Sequence, residues 1–175
     1  MKNMGMGYDP RGIANAILDL ADRQDKPLSN LQLNKILFFV HSDCLLHLEQ
    51  RLSSLTFEAW QYGPVLPIIY HQFKSHKARP IESRATKVDP KTGEQLEVEY
   101  GELNQLMAFI EYRFAEYSKL SPTALVTVSH EETGAWHQVW HGNVDNVGMK
   151  ITDDLILRYN SMTKGSMDDS YARLH

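Results

Sequence analysis

The stretch from Ser29 to Gln50 constrains this chain more than any other. Ser29 and Gln32 have the spacing of a capping box, so a helix opens there. Leu33, Ile36, Leu37, Val40 and Cys44 repeat at helical spacing, and Phe38, Phe39, Leu45 and Leu46 make the helix apolar on most other sides. Such a helix must be covered by neighbours nearly all round. The expected fold is therefore mainly α, α+β at most: a single compact helical domain around a central apolar helix, with a small short-strand element. At 175 residues the chain has the size of one domain and can bury about 70% of its extended surface.

The covering helices can be read along the chain. Asp9-Pro10 is a cap followed by a first-turn proline, and Ile13, Ala14, Ile17, Leu18 and Ala21 continue at helical spacing up to Lys26-Pro27. Thr56 to Trp60 alternates like a brief strand, with Phe57 and Ala59 on one face. Gly63-Pro64 punctuates the chain. A third helix starts near Pro67, with Leu66, Ile69, Tyr70 and Phe73 on one side. Residues 74–95 read as a charged loop, and Gln95 to Tyr100 as a short extended piece. Helical spacing returns from Glu102 to Lys119. Ser121-Pro122 opens a short helix to about His130, and Trp136 and Trp140 share one helical turn. Thr152 caps a final helix through Tyr159. The expected division is a flexible start at 1–8, the helical domain at 9–160 and a polar tail at 161–175.

Several function classes are disfavoured. Cys44 is the single cysteine, so no internal disulfide forms, and the start has no apolar signal region. The longest clean apolar run, Ile36 to Val40, is far short of a membrane span. A cytoplasmic, membrane-free protein is expected. The net charge of −4 argues against general nucleic-acid binding, and a helix–turn–helix reading fails because the second helix offers only Lys35 as a base beyond its histidines. The charge is uneven: Lys74 to Lys91 carries +4, and Thr92 to the end −7. His41, Cys44 and His47 lie three apart on one helix, but no residue stands out as a fourth ligand. Ser129, His130 and Glu131 adjoin in sequence, which does not make a triad. No phosphate-binding glycine loop is present. No cofactor, metal or catalytic residue is expected, and the chain reads as a binding module rather than an enzyme.

The most informative segment is FEAWQYGPVLPIIY, from Phe57 to Tyr70. It sets Trp60 and Tyr62 against a Gly63-Pro64 turn, a rigid aromatic corner. Rings with polar tips favour half-buried sites, so they either close one end of the core or meet a partner.

This segment, with HQFK after it, resembles the signature of the Panacea domain family, that of SocA-like antitoxins and phage-associated GepA-like proteins. The matching residues are Glu58, Ala59, Trp60, Tyr62, Gly63, Pro64, Val65, Pro67, Tyr70 and Phe73. Ile13, Ala14, Asn15, Ile17 and Leu18 agree upstream, as do Leu31, Leu33, Lys35, Ile36, Leu37, Phe38 and Phe39, with Phe38 standing where the family usually has tyrosine and Asn34 where glutamine is common. Pro80-Ile81 fits downstream. Ser129-His130 and Ala135-Trp136 stand where the family has Thr-His and Pro-Trp, and Ile151 and the helix after it fit the family's end. The resemblance covers about residues 11–160. It implies a cytoplasmic antitoxin of bacterial or prophage origin that binds and neutralises a cognate toxin protein made beside it. The alternative it implies is a mobile-element accessory protein acting as an adaptor to a bacterial protease, or as a regulator. Candidate partner-binding residues are Trp60, Tyr62, Gly63, Pro64 and Tyr70 of the corner, Lys74, Lys77 and Arg79 of the basic stretch, and His130 and Trp136. His130 has a second reading, a buried hydrogen bond donated to backbone.

Overall fold

The computed structural model describes residues 4–160. The capping box closes as its spacing predicts: the Gln32 side chain accepts from the Ser29 N–H at 3.0 Å while Ser29 Oγ accepts from the Gln32 N–H. From this cap the helix α2 (Asn30–Leu48) runs to Glu49, which ends it in a left-handed conformation with its N–H bonded to Cys44 O. α2 is enclosed by α1 (Pro10–Arg23), α3 (Pro67–Phe73), α4 (Met107–Tyr117), α5 (Pro122–Ser129) and α7 (Asp153–Tyr159). α6 (Ala135–Trp140) packs on α7. Each layer places its periodic residues inward: Ile13 and Ile17 of α1, Ile69 and Phe73 of α3, Ile110 and Phe114 of α4, Leu125 of α5 and Ile156 of α7 are fully buried. Each buried side chain of this size contributes about 1.5–3 kcal/mol. The mainly helical expectation holds.

Local chemistry sets the helix starts. Asp9 Oδ1 accepts from the Arg11 N–H at 2.9 Å with Pro10 in the first turn, and Ser121 Oγ accepts from the Ala124 N–H at 3.1 Å with Pro122 likewise placed. Thr152 caps α7, whose first turn carries Asp153 and Asp154. α2 is tied to α7 through His41, a buried ring. Its Nδ1 accepts from the Ser53 N–H at 3.1 Å, which leaves the proton on Nε2, 3.0 Å from Asp153 Oδ1. Burial opposes charge on Asp153, but the His41 hydrogen bond and nearby Arg51 hold its carboxyl below the usual range.

The strand element is larger than its sequence signal. β1 (Phe57–Trp60) lies between β2 (Gly63–Val65) and β5 (Lys150–Ile151), all antiparallel. Trp60 pairs with Gly63 across the two-residue turn Gln61-Tyr62, and Phe57 with Ile151. Phe57 and Ala59 are the buried pair, as their alternation predicts. The Gly63-Pro64 break turns out to be the second strand. Proline is tolerated there because β2 is an edge strand.

Three other expectations are corrected. Within the stretch read as a charged loop, Thr86–Val88 forms a strand, β3, and it pairs with β4 (Gln95–Glu97), which falls in the piece read as extended. Asp89 Oδ1 accepts from the Lys91 N–H at 2.7 Å, Gly93 sits at φ +73°, and the two close the connecting turn. The helix read from Glu102 starts later: Gly101–Leu103 is a 3₁₀ turn, and Leu106 N–H bonds back to Leu103 O before α4 begins. Of the start read as flexible, residues 4–8 lie against the chain after α2. Arg51 N–H bonds Met4 O, Tyr8 N–H bonds Leu52 O, and Ser54 N–H bonds Tyr8 O. The polar tail at 161–175 lies outside the described residues.

Asn15 fastens the β3–β4 hairpin to the core. This buried α1 side chain donates to Ala85 O at 3.0 Å and Val98 O at 2.9 Å, and accepts from the Ala85 N–H at 2.7 Å. Asn15→Ala orphans two buried backbone groups, the Ala85 N–H and Val98 O, while Ala85 O keeps the Val98 N–H, and is expected to cost about 2–3 kcal/mol in urea unfolding. A change within about 0.5 kcal/mol contradicts the clamp.

Candidate protein-binding surface

The aromatic corner is built from behind by α2. Three polar side chains of that apolar helix reach the backbone of residues 64–70. Asn30 Nδ2 donates to Tyr70 O at 3.0 Å. Asn34 Oδ1 accepts from the Leu66 N–H at 3.0 Å, and its amide donates back to Asn30 O and Asn30 Oδ1 at 3.0 and 2.9 Å. Lys35 Nζ donates to Pro64 O at 2.8 Å. The bonds to Pro64 O and the Leu66 N–H satisfy buried backbone groups at the end of β2 and the start of α3, and the bond to Tyr70 O is part-buried.

Lys35 is 1% exposed. Burial pulls its ammonium down from the usual 10.5 to about 7. Gly63 completes the fit. Its φ is +98°, and an added Cβ would stand 2.4 Å from Ser129 Oγ and 2.7 Å from Lys35 Cε. Only glycine lets the hairpin close this tightly on α2 and α5.

On this support the rings face outward. Trp60 is half-buried, T-shaped against Tyr70 at 4.9 Å, with Nε1 donating to Glu58 Oε2 at 3.0 Å. Tyr62 at the hairpin tip is 62% exposed and Tyr70 38%. Lys74 follows Tyr70 by about one helical turn, and Lys74, Lys77 and Arg79 are all exposed. The two groups singled out in the sequence, corner and basic stretch, thus adjoin along α3 and the turn after it.

Other candidates sit behind this face. Gly63, Pro64 and Trp136 are buried, so their part is to hold the surface. Trp136 Nε1 donates to Trp60 O at 2.9 Å. The His130 ring stacks on Trp136 at 3.8 Å, nearly parallel, and its buried Nε2 has no hydrogen-bond partner among the described residues. Stacking on Trp136 is the contact that holds this face of the ring. Burial, with Lys35 and His137 close by, lowers the His130 pKa and keeps the ring neutral.

His41, Cys44 and His47 do not come together as ligands. Both His41 nitrogens are engaged, and Cys44 is buried with its thiol pushed up by burial. Among the described residues, no group of three or more His, Cys, Asp or Glu side chains is placed to hold a metal ion. Among them, too, no helix is long and apolar enough to cross a membrane.

A second concave feature escaped the sequence reading. A cleft of about 490 Å³ opens between α2, α4, α5 and α6. Phe39 and Tyr117, stacked at 4.9 Å, form part of its wall. Within it, Asp43 Oδ2 accepts from Arg113 Nε and from the Tyr117 hydroxyl, both at 2.6 Å. Burial raises the Tyr117 pKa, which keeps its hydroxyl a donor. The available signal was a charge at a position facing inward in each of two apolar helices, Asp43 in α2 and Arg113 beside Phe114 in α4.

The structure is a mainly helical domain whose ring-bearing hairpin is held from behind by polar side chains of α2. The antitoxin SocA-like, Panacea domain family pattern matches residues 33–137. The chain is 35% identical over 150 residues to Antitoxin SocA of Caulobacter vibrioides (strain NA1000 / CB15N), a match covering 85% of this chain and 80% of that protein. The chain belongs to the SocA-like antitoxin, Panacea domain family. No solved structure matches it.

The Lys35 support has a pH signature. The unfolded chain keeps the lysine proton up to its ordinary 10.5, while the folded chain releases it near 7. Between those values the unfolded state binds more protons, so stability rises with pH across that window. The full gain is about 5 kcal/mol. Urea unfolding at pH 7 and pH 9.5 is expected to show this rise in the wild type and a flatter profile in Lys35→Met. Identical profiles contradict a buried lysine here.

Proposed function

We propose that this protein is the antitoxin of a toxin–antitoxin pair, and that it neutralises its toxin by binding it through the face formed by Trp60, Tyr62, Tyr70, Lys74, Lys77 and Arg79. The observation that carries the reading is the placement of the family's aromatic signature. Its small and buried members, Gly63, Pro64 and Trp136, form a support, and two of its rings, Tyr62 and Tyr70, stand exposed beside three bases. Solvated tyrosines on a rigid hairpin lose little conformational freedom on binding and suit an interface centre. The bases favour an acidic patch on the toxin. Neutralisation then needs only occlusion of the toxin's working surface.

The test is co-expression with the product of the open reading frame beside the gene. Growth arrest by that product alone, rescue by this chain and co-purification of the two are expected. In the complex, Tyr62→Ala combined with Lys77→Glu is expected to weaken binding about tenfold or more. Both side chains are exposed, so the melting temperature should stay within about 2 °C. A harmless neighbour that does not co-purify overturns the antitoxin reading. Wild-type affinity in the double variant overturns this face as the interface.

A further inference from the structure

The cleft between α2, α4, α5 and α6 shares only Ser129 and Trp136 with the support of the aromatic face, and its lining has a definite chemistry. Phe38 and Phe39 form the deep wall, and Leu46, Leu120 and Val128 the outer one. Val128 is 36% exposed, although it is one of the bulkier apolar residues of α5. A volume of about 490 Å³ falls inside the range of about 300–1,000 Å³ in which pockets hold ligands.

The charges in the cleft do not cancel. Asp43 is paired with Arg113, and Glu116 with Lys119 at 2.8 Å. Glu131 also lines the cleft, and its carboxylate has no partner among the described residues. Glu132 beside it is equally exposed, and only its backbone carbonyl is bonded, to Gln138. The rim therefore carries unmatched negative charge above apolar walls, the opposite sign to the Lys74–Arg79 face. The lining residues come from helices and from the turns that join them. Among the described residues no strand edge lies in the cleft to pair an extended peptide, which favours an occupant that satisfies its own backbone.

We propose that this cleft seats an amphipathic helix of the bound toxin, with its Leu, Phe or Met side chains between Phe39 and Val128 and a Lys or Arg against Glu131. The helix's owner rests on the antitoxin reading; the chemistry of the seat does not. The toxin would then be gripped at two places of opposite charge, an acidic patch on the hairpin face and a basic helix in the cleft. That arrangement selects against partners carrying only one of the two.

The test uses the full chain and two fluorescein-labelled helical peptides. Both carry leucines on one face; one carries arginines at the edges of that face, the other glutamates. Anisotropy titration is expected to show binding of the arginine peptide. Val128→Asp, a change at an exposed position, should weaken it about tenfold or more, and Glu131→Lys should shift preference toward the glutamate peptide by about tenfold. Failure of the arginine peptide to bind, equal binding of both peptides, or wild-type affinity in Val128→Asp each overturns the proposal. No toxin enters this titration. A null result beside intact co-purification removes the cleft and leaves the antitoxin reading, and the converse removes the antitoxin reading and leaves the cleft.

Discussion

The structure depends on three polar side chains in the first two turns of an apolar helix. Asn30, Asn34 and Lys35 bond to Tyr70 O, Leu66 N–H and Pro64 O. A helix apolar all round would bury more hydrocarbon, and Lys35 sits against a strong preference for water. What these groups provide is register. The hairpin and α3 make few backbone bonds of their own, since β2 has three residues and α3 seven. Without partners on α2, Pro64 O and the Leu66 amide would be buried and unpaired, at about 1–3 kcal/mol each.

The exposed face follows from that register. With Pro64 and Leu66 fixed, Gly63 must take its positive φ, and the Gln61-Tyr62 turn must project outward. With Tyr70 O fixed, the ring of Tyr70 meets Trp60, and the chain leaves α3 toward Lys74, Lys77 and Arg79. Trp136 fixes Trp60 from the other side, and His130 covers Trp136. The backbone under Trp60 and Tyr70 is thus held by buried side chains through specific bonds, the arrangement that keeps an interface preorganised. The cleft is separate in place and in sign, although Trp136 belongs to the walls of both.

What could be read in the sequence was what is decided locally. The capping box at Ser29 and Gln32, the caps at Asp9, Ser121 and Thr152, and the apolar spacing of α1, α2 and α4 all depend on residues within a few positions of one another. The aromatic face was legible as a motif, through the family resemblance of residues 57–73. Its division into exposed rings and buried support was not, because that division depends on how the hairpin lies on α2. The β4 piece was read as extended, but β3 and its pairing were missed, because the bonds that dock the hairpin run from Asn15 to Ala85 and Val98, 70 and 83 residues away. The cleft was missed for the same reason. Asp43 and Arg113 meet across 70 residues, and a concavity between helices has no signature in any one of them.

The central claim, that side chains of α2 hold the hairpin and α3 in register, is tested most directly by native-state hydrogen exchange at the Leu66 amide, whose acceptor is Asn34 Oδ1. In the wild type this amide should exchange as slowly as the core amides of α2. In Asn34→Ala it should exchange at least about a hundredfold faster while the amides of α1 keep their protection. Rapid exchange at Leu66 in the wild type, or unchanged protection in Asn34→Ala, contradicts the account.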